Sequence, residues 1–360
     1  MKLIGERYEP VRLLGRGGMG EVWLARTHGP SGFTKLVALK VSSSSSLPEQ
    51  ERASLLRQEA RIAAALAHPN LVDVYELGAH EGRDFIAMEY VSGVDLRRVL
   101  AQARSEGPGL PPEAIAFIVA ELLSGLEHAH RARDDHGRPM GLVHRDVSPT
   151  NVLLSFAGEV KLIDFGIAKV AGAHETRTGV LKGKFRYMSP EQARGDPLDA
   201  RSDLYSVGAL LYEALTGTAA YPGDDDVAIL SRVQRGEHQP LDAVPESFRA
   251  LVGRCLEKSP QQRIGSADEL RQLLIPASGS GSSRWESRTI AQYLGSRFHP
   301  IVLPPPVPEA EVDVGTSPGA AGPAPAGRGS SFGPWLALTL LLLPILLALG
   351  AAVLYLAYRG

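Results

Sequence analysis

Hydrophobic and polar positions change period several times along the chain. Residues 8–41 read as short strands. In Val37-Ala38-Leu39-Lys40-Val41, Val37, Leu39 and Val41 share one face while Ala38 and Lys40 share the other, the period-two pattern of a strand. From about Pro48 to Ala67 the period lengthens to that of a helix, with Pro at the entry and His68-Pro69 at the exit. Leu55, Glu59, Ile62 and Leu66 fall on one face of it. Leu71 to Leu77 and Asp84 to Val91 predict a pair of strands. An amphipathic helix covers 111–133, and a polar surface loop follows to Gly141. Val152-Leu153-Leu154 and Val160-Lys161-Leu162-Ile163 read as short buried strands, and helices follow to about residue 275.

The far end behaves differently. Residues 276–334 are rich in Pro, Gly, Ala and Ser and predict a disordered linker, with Arg284 to Leu294 more an unfolded tether than a docking helix. Ser42 to Ser46 predicts a shorter linker of the same kind. From Trp335 to Tyr358 there is no charge and no polar face. A helix there would be ~36 Å long against a ~30 Å hydrocarbon core. Trp335, Tyr355 and Tyr358 stand where interface aromatics belong, and membrane helices tolerate a Pro such as Pro344. The run predicts a single transmembrane helix in the lipid bilayer; a buried soluble helix is the alternative. Ala348 and Ala352 offer a small-residue face for a homodimer.

Composition narrows the choices. Lys and Arg number 38 against 40 Asp and Glu in 360 residues, so bulk charge gives no case for nucleic-acid binding. The single cysteine, Cys255, excludes an intrachain disulfide, suits a reducing compartment and reads as a core residue. The opening residues lack the apolar stretch of a secretory leader.

The candidate chemistry centres on Val143-His144-Arg145-Asp146-Val147-Ser148-Pro149-Thr150-Asn151, followed at the end of the next apolar run by Asp164-Phe165-Gly166. Two carboxylates and an amide oxygen thus stand at the ends of neighbouring strands. Phosphoryl transfer needs such a set: Asn151 and Asp164 to hold Mg²⁺, Asp146 to accept the proton of an attacking hydroxyl. Either stretch alone fits ordinary turns. Gly15, Gly17 and Gly20 form a Gly-x-Gly-x-x-Gly loop, a weak signal shared with dinucleotide-binding folds. Those need a helix next, whereas Glu21 to Ala25 reads as a strand. Glu59, a carboxylate inside an apolar stripe, needs a partner.

Together these motifs resemble the protein-kinase superfamily, over roughly residues 8–275, and within it the bacterial Ser/Thr kinases. The resemblance implies an α+β, two-lobed fold: a β-rich small lobe with one main helix (about 8–90) and a larger helical lobe (about 91–275). It implies ATP with Mg²⁺ or Mn²⁺, and protein substrates. Lys40 would hold phosphates, positioned by Glu59. Leu14, Val22, Ala38 and Leu153 would enclose adenine, Met88 would be the gatekeeper, and Glu89 and Val91 would bind the base through backbone groups. Asp95 would reach the ribose or simply cap a helix. Asp164 to Glu191 resembles the activation segment, with Thr176 and Thr178 as phosphosites that can pair with Arg145. Asp203 would brace the catalytic loop and Arg263 would pair with Glu191.

One position departs from the family. Where most members carry Lys, two residues after the catalytic Asp, this chain has Ser148, and Lys184 stands where the family's activation segment has Thr. Lys184 returns the missing charge if the two types have been exchanged. The alternatives are a pseudokinase scaffold and a small-molecule kinase. With a membrane helix, an ATP-using domain would face the cytoplasm at the inner membrane.

Overall fold

The computed structural model describes residues 3–17, 20–29, 32–42, 54, 56–57, 62, 65–164, 184–277 and 285–302. Five antiparallel strands open the chain: β1 (Tyr8–Gly17), β2 (Gly20–His28), β3 (Thr34–Ser42), β4 (Val74–His80) and β5 (Arg83–Glu89), in the order β1-β2-β3-β5-β4. The alternation in β3 is realised, with Val37, Leu39 and Val41 joining Tyr8, Ala25, Phe85 and Ala87 in one apolar cluster. Ser42, expected in a linker, instead ends β3 and is buried; residues 43–46 lie outside the described residues. Ser54, Leu56, Arg57 and Ile62 are helical, in keeping with the helix expected over 48–67; Glu59 and Leu55 lie outside the described residues.

The strand expected over 71–77 starts later than its apolar pattern suggests. Leu71 forms a parallel bridge with Leu162, Val72 donates to the Leu162 carbonyl, and Leu162 donates to that of Asn70. The backbone of 70–72 is therefore committed to another strand before β4 begins.

A second, three-stranded antiparallel sheet, β6 (Gly93–Asp95), β7 (Val152–Ser155) and β8 (Val160–Leu162), carries the chain into a helical body. The body holds α1 (Leu96–Glu106), α2 (Pro112–His130), α3 (Pro190–Arg194), α4 (Arg201–Thr216), α5 (Asp226–Arg235), α6 (Glu246–Cys255) and α7 (Ala267–Ala277). At its centre, α4 passes so close to α6 that a Cβ on Gly208 would sit 2.5 Å from the Cβ of Cys255. Cys255 is fully buried and burial pushes its thiol up to about 12, as suits a core residue. The polar loop after α2 is a self-braced turn: Asp134 accepts from the backbone of His136 and Arg138 and pairs with the Arg138 guanidinium.

The tether expected over 284–294 is corrected. Residues Ser287–Gly295 form α8, and its Ile290 and Leu294 are fully buried in the helical body's core. Burying two such side chains favours docking by roughly 1.5–3 kcal/mol each, before the ordering cost is subtracted. Polar and small neighbours hide this in composition; one i, i+4 apolar pair carries the helix. Among the described residues no helix is long and apolar enough to cross a membrane; the run 335–358, with Ala348 and Ala352, lies outside them.

Candidate active site

Strand register assembles the first wall. Gly15 stands opposite Val22 on β2, and Val22 opposite Lys40 on β3. Ala38 pairs with Leu24 on one side and Met88 on the other. Gly20 adopts φ +149°, and a Cβ there would overlap the Val41 carbonyl oxygen, so contact with β3 restricts the position to Gly. Among the described residues nothing lies within 4 Å of a Cβ built on Gly15. Leu14 is exposed; Val22 is half-buried and Ala38 buried.

The second wall comes from the turns around β7 and β8. Lys40 reaches across to it: its Nζ donates to Asp164 Oδ1 at 2.9 Å, and the Lys40 side chain is only 8 % exposed. Asp164 has φ +57° and Arg145 φ +68°, left-handed backbone that non-glycine residues adopt only where surroundings enforce it. The enforcement is visible at Arg145. The buried Asp203 of α4 accepts the backbone N–H groups of His144 and Arg145, each at 2.8 Å, and pairs with the His130 ring at 2.8 Å. Gln192 of α3 donates to the Arg145 carbonyl at 3.0 Å. Asn151 Nδ2 donates to the Asp146 carbonyl at 2.8 Å, and the Ile163 N–H to the Asn151 carbonyl at 2.9 Å. Asp146, Asn151 and Asp164 are thus tied into one frame around Lys40.

Electrostatics reinforce that frame. Burial pushes the His144 imidazole below its ordinary range, outweighing the nearby Asp203, Asp146 and Asp164. Burial raises the Asp203 carboxyl, but the bonds and charge from His130 and His144 more than reverse it. Glu191 behaves alike: burial pushes it up, and Arg263 holds it below the usual carboxylate range. In all three the folded form binds fewer protons than the unfolded chain. Stability is therefore full at neutral pH and falls as pH drops, first through the histidine range and then through the carboxylate range. Thermal unfolding followed from neutral to acid pH checks this: the melting temperature should fall steadily.

The remaining expected residues are placed as follows. Asp95 is the N-cap of α1, its Oδ1 accepting from the Arg98 N–H at 3.0 Å. Met88 and Glu89 end β5, Val91 follows in the connection to β6, and Leu153 lies opposite Asp95 on β7. Ser148 is buried and bonds Thr150 across 3.0 Å between hydroxyl oxygens. Lys184 opens a short 3-10 turn, Lys184–Tyr187, and its side chain lies outside the described residues, as do Glu59, Gly166, Thr176, Thr178 and Lys182. Gly17 ends β1.

Two connections escaped the sequence reading. Gln192 belongs to a capping box with Ser189, a Ser-x-x-Gln pattern that was available in the sequence. Lys161 and Glu89 form a largely buried ion pair at 2.9 Å, and Glu89 also accepts from the Asp73 N–H at 3.3 Å. A lone Lys between Val160 and Leu162 was the signal, since a buried ammonium needs a partner.

Among proteins of known sequence, the family described as "Protein kinase domain" matches residues 8–274. The tyrosine-protein kinase MasK of Myxococcus xanthus is 38 % identical over 272 residues, covering 74 % of this chain and 42 % of MasK. The serine/threonine-protein kinase PknB of Mycobacterium tuberculosis is 38 % identical over 283 residues, covering 76 % of this chain and 43 % of PknB. The chain thus spans about two fifths of the length of these curated relatives. Among solved structures, the Mycobacterium tuberculosis PknI kinase domain superposes with a TM-score of 0.57 at 28 % identity, covering 76 % of this chain and 96 % of that one. With a β-sheet small lobe, a helical large lobe and this match, the chain belongs to the protein kinase family.

Proposed function

We propose that this chain transfers the γ-phosphoryl group of ATP to Ser or Thr hydroxyls of protein substrates, and to Thr176 or Thr178 of its own activation segment. The observation that carries the reading is the Lys40–Asp164 contact, which joins the two walls at the point a triphosphate would occupy. Lys40 would hold phosphates, with Glu59 as its partner. Asp146 would orient the acceptor hydroxyl and take its proton. Leu14, Val22, Ala38 and Leu153 would enclose the base, and the backbone of Glu89 and Val91 would bond it.

Mg²⁺ suits the donor set. The Asn151 amide uses its NH₂ on the Asp146 carbonyl, leaving its oxygen as an acceptor, and Asp164 supplies a second hard oxygen. Two protein oxygens would leave the remaining positions to water and substrate phosphates. When bound, the metal neutralises charge developing on the phosphates. Lys184 would supply the positive charge that Ser148 does not.

The length of the uncharged run 335–358 and the aromatics at its ends support a membrane span that would tether a cytoplasmic kinase domain, with self-association through Ala348 and Ala352. The acceptor has a second reading, tyrosine, favoured by the name of MasK and by the absence of Lys at 148. Labelled ATP and Mg²⁺ given to the full chain test both, with phosphoamino-acid analysis of the product. Phosphoserine or phosphothreonine is expected; phosphotyrosine alone overturns the acceptor assignment. In the same assay Lys184→Ala should lose far more activity than Lys182→Ala. Equal activities would make the exchange with Ser148 coincidental.

A further inference from the structure

Residues 285–298 stand beyond the family match, which ends at 274, yet they are bound into the large lobe at several independent points. Ile290 and Leu294 anchor α8 in the core, with Trp285, Tyr293 and Phe298 packed beside them. The start of the helix presses on the β7–β8 turn: Gly158 has φ +89°, and a Cβ there would overlap the Ser287 carbonyl oxygen. The segment then reaches both ends of α1. Arg297 Nε lies 2.6 Å from Glu106 Oε2 at the last residue of α1. Phe298 lies under the guanidinium of Arg98, 5.9 Å from its ring centroid, in the first turn.

That first turn is the one capped by Asp95, through the Arg98 N–H. Asp95 also closes β6, which runs back to the hinge after Glu89. A contact on Arg98 therefore lies one residue interaction from the side chain expected at the ribose. A mere tether has no need to hold α1 at both ends.

We propose that residues 285–298 form a positioning strap, which grips α1 at Arg98 and Glu106 and so fixes Asp95 and the hinge for nucleotide binding. This rests on the reading of the hinge as the nucleotide site. Phe298 and Arg297 are its positioning residues, and they touch no reacting group. The strap lets the large lobe tune nucleotide affinity without changing the phosphoryl-transfer residues.

The test uses the full chain carrying Arg297→Ala and Phe298→Ala together, which leaves the Ile290 and Leu294 anchors in place. Nucleotide Kd is read with a fluorescent ATP analogue, beside KM, kcat and melting temperature. Kd and KM should rise about two- to fivefold, the scale of one exposed cation–π contact, with kcat nearly unchanged. Arg297→Lys with Phe298→Tyr should restore most of the affinity. A lowered melting temperature with Kd and KM equal to wild type overturns the strap and leaves a stabilising helix. Wild type that binds no nucleotide overturns the active-site reading, and the strap proposal with it.

Discussion

Replacing Asp146 with Asn in the full chain should lower phosphoryl transfer by roughly 10²–10⁴-fold, the range of a positioned general base. The change keeps size and removes the carboxylate that would accept the hydroxyl proton. Its backbone role survives, because Asn151 bonds the carbonyl of residue 146 and not its side chain. Nucleotide affinity should therefore stay within about twofold, since on the proposed reading binding would rest on Lys40, Asp164 and the small-lobe strands. Labelled-ATP transfer measured beside nucleotide binding separates the two. Comparable transfer by wild type and Asp146→Asn would remove Asp146 from the chemistry; no transfer by either would support the scaffold alternative.

Arg263→Ala destabilises the fold by about 3–5 kcal/mol, the cost of leaving a buried charge without its partner. Arg263 donates from two nitrogens to the two carboxylate oxygens of Glu191, at 2.6 and 2.7 Å, with the Arg263 side chain wholly buried and that of Glu191 4 % exposed. Ser202 donates one further bond to Glu191 and cannot neutralise it. Arg263→Lys should cost less, because it keeps the charge and loses only the forked geometry. Glu191→Gln with Arg263→Met should recover part of the loss, since no unpaired ion remains. Denaturant unfolding of the variants reads these differences directly. A near-zero effect for Arg263→Ala would show that water reaches Glu191 after all. Because α3 carries both Glu191 and Gln192, the Ala variant also loosens the Gln192 bond to Arg145 and should lower activity with stability.

The parts of this architecture readable in the sequence are those encoded by short, contiguous patterns. The alternation of Val37 to Val41 gave β3, and the spacing of Asp146, Asn151 and Asp164 gave the frame that Lys40 completes. Asp95 left two readings open in the sequence. The α1 cap is observed, and the ribose role remains a proposal. What escaped depends on distant partners. Leu71 to Asp73 looked like strand because the run is apolar and alternating. Leu71 and Val72 are tied to Leu162, about ninety residues away, and Asp73 to Glu89, and no local pattern reveals either. In α8, two buried residues sit among Ser, Arg, Gln and Gly, so composition outweighed the single apolar pair. Lys161 was visible as an oddity in β8, but its partner, Glu89, belonged to a stretch read only for its backbone.

That last pairing has a mechanical consequence. Lys161 on β8, Glu89 at the end of β5 and the Asp73 backbone are riveted together behind the cleft, where Glu89 also donates its own N–H to the Asp73 carbonyl at 2.8 Å. A joint pinned at its rear swings and does not slide. Were the lobes to open, this joint would act as a pivot near residue 89, and Gly17 and Gly20, at the far ends of β1 and β2, would travel further than the rear wall. On the proposed reading, nucleotide would then enter and leave at the front while the back of the cleft stays joined.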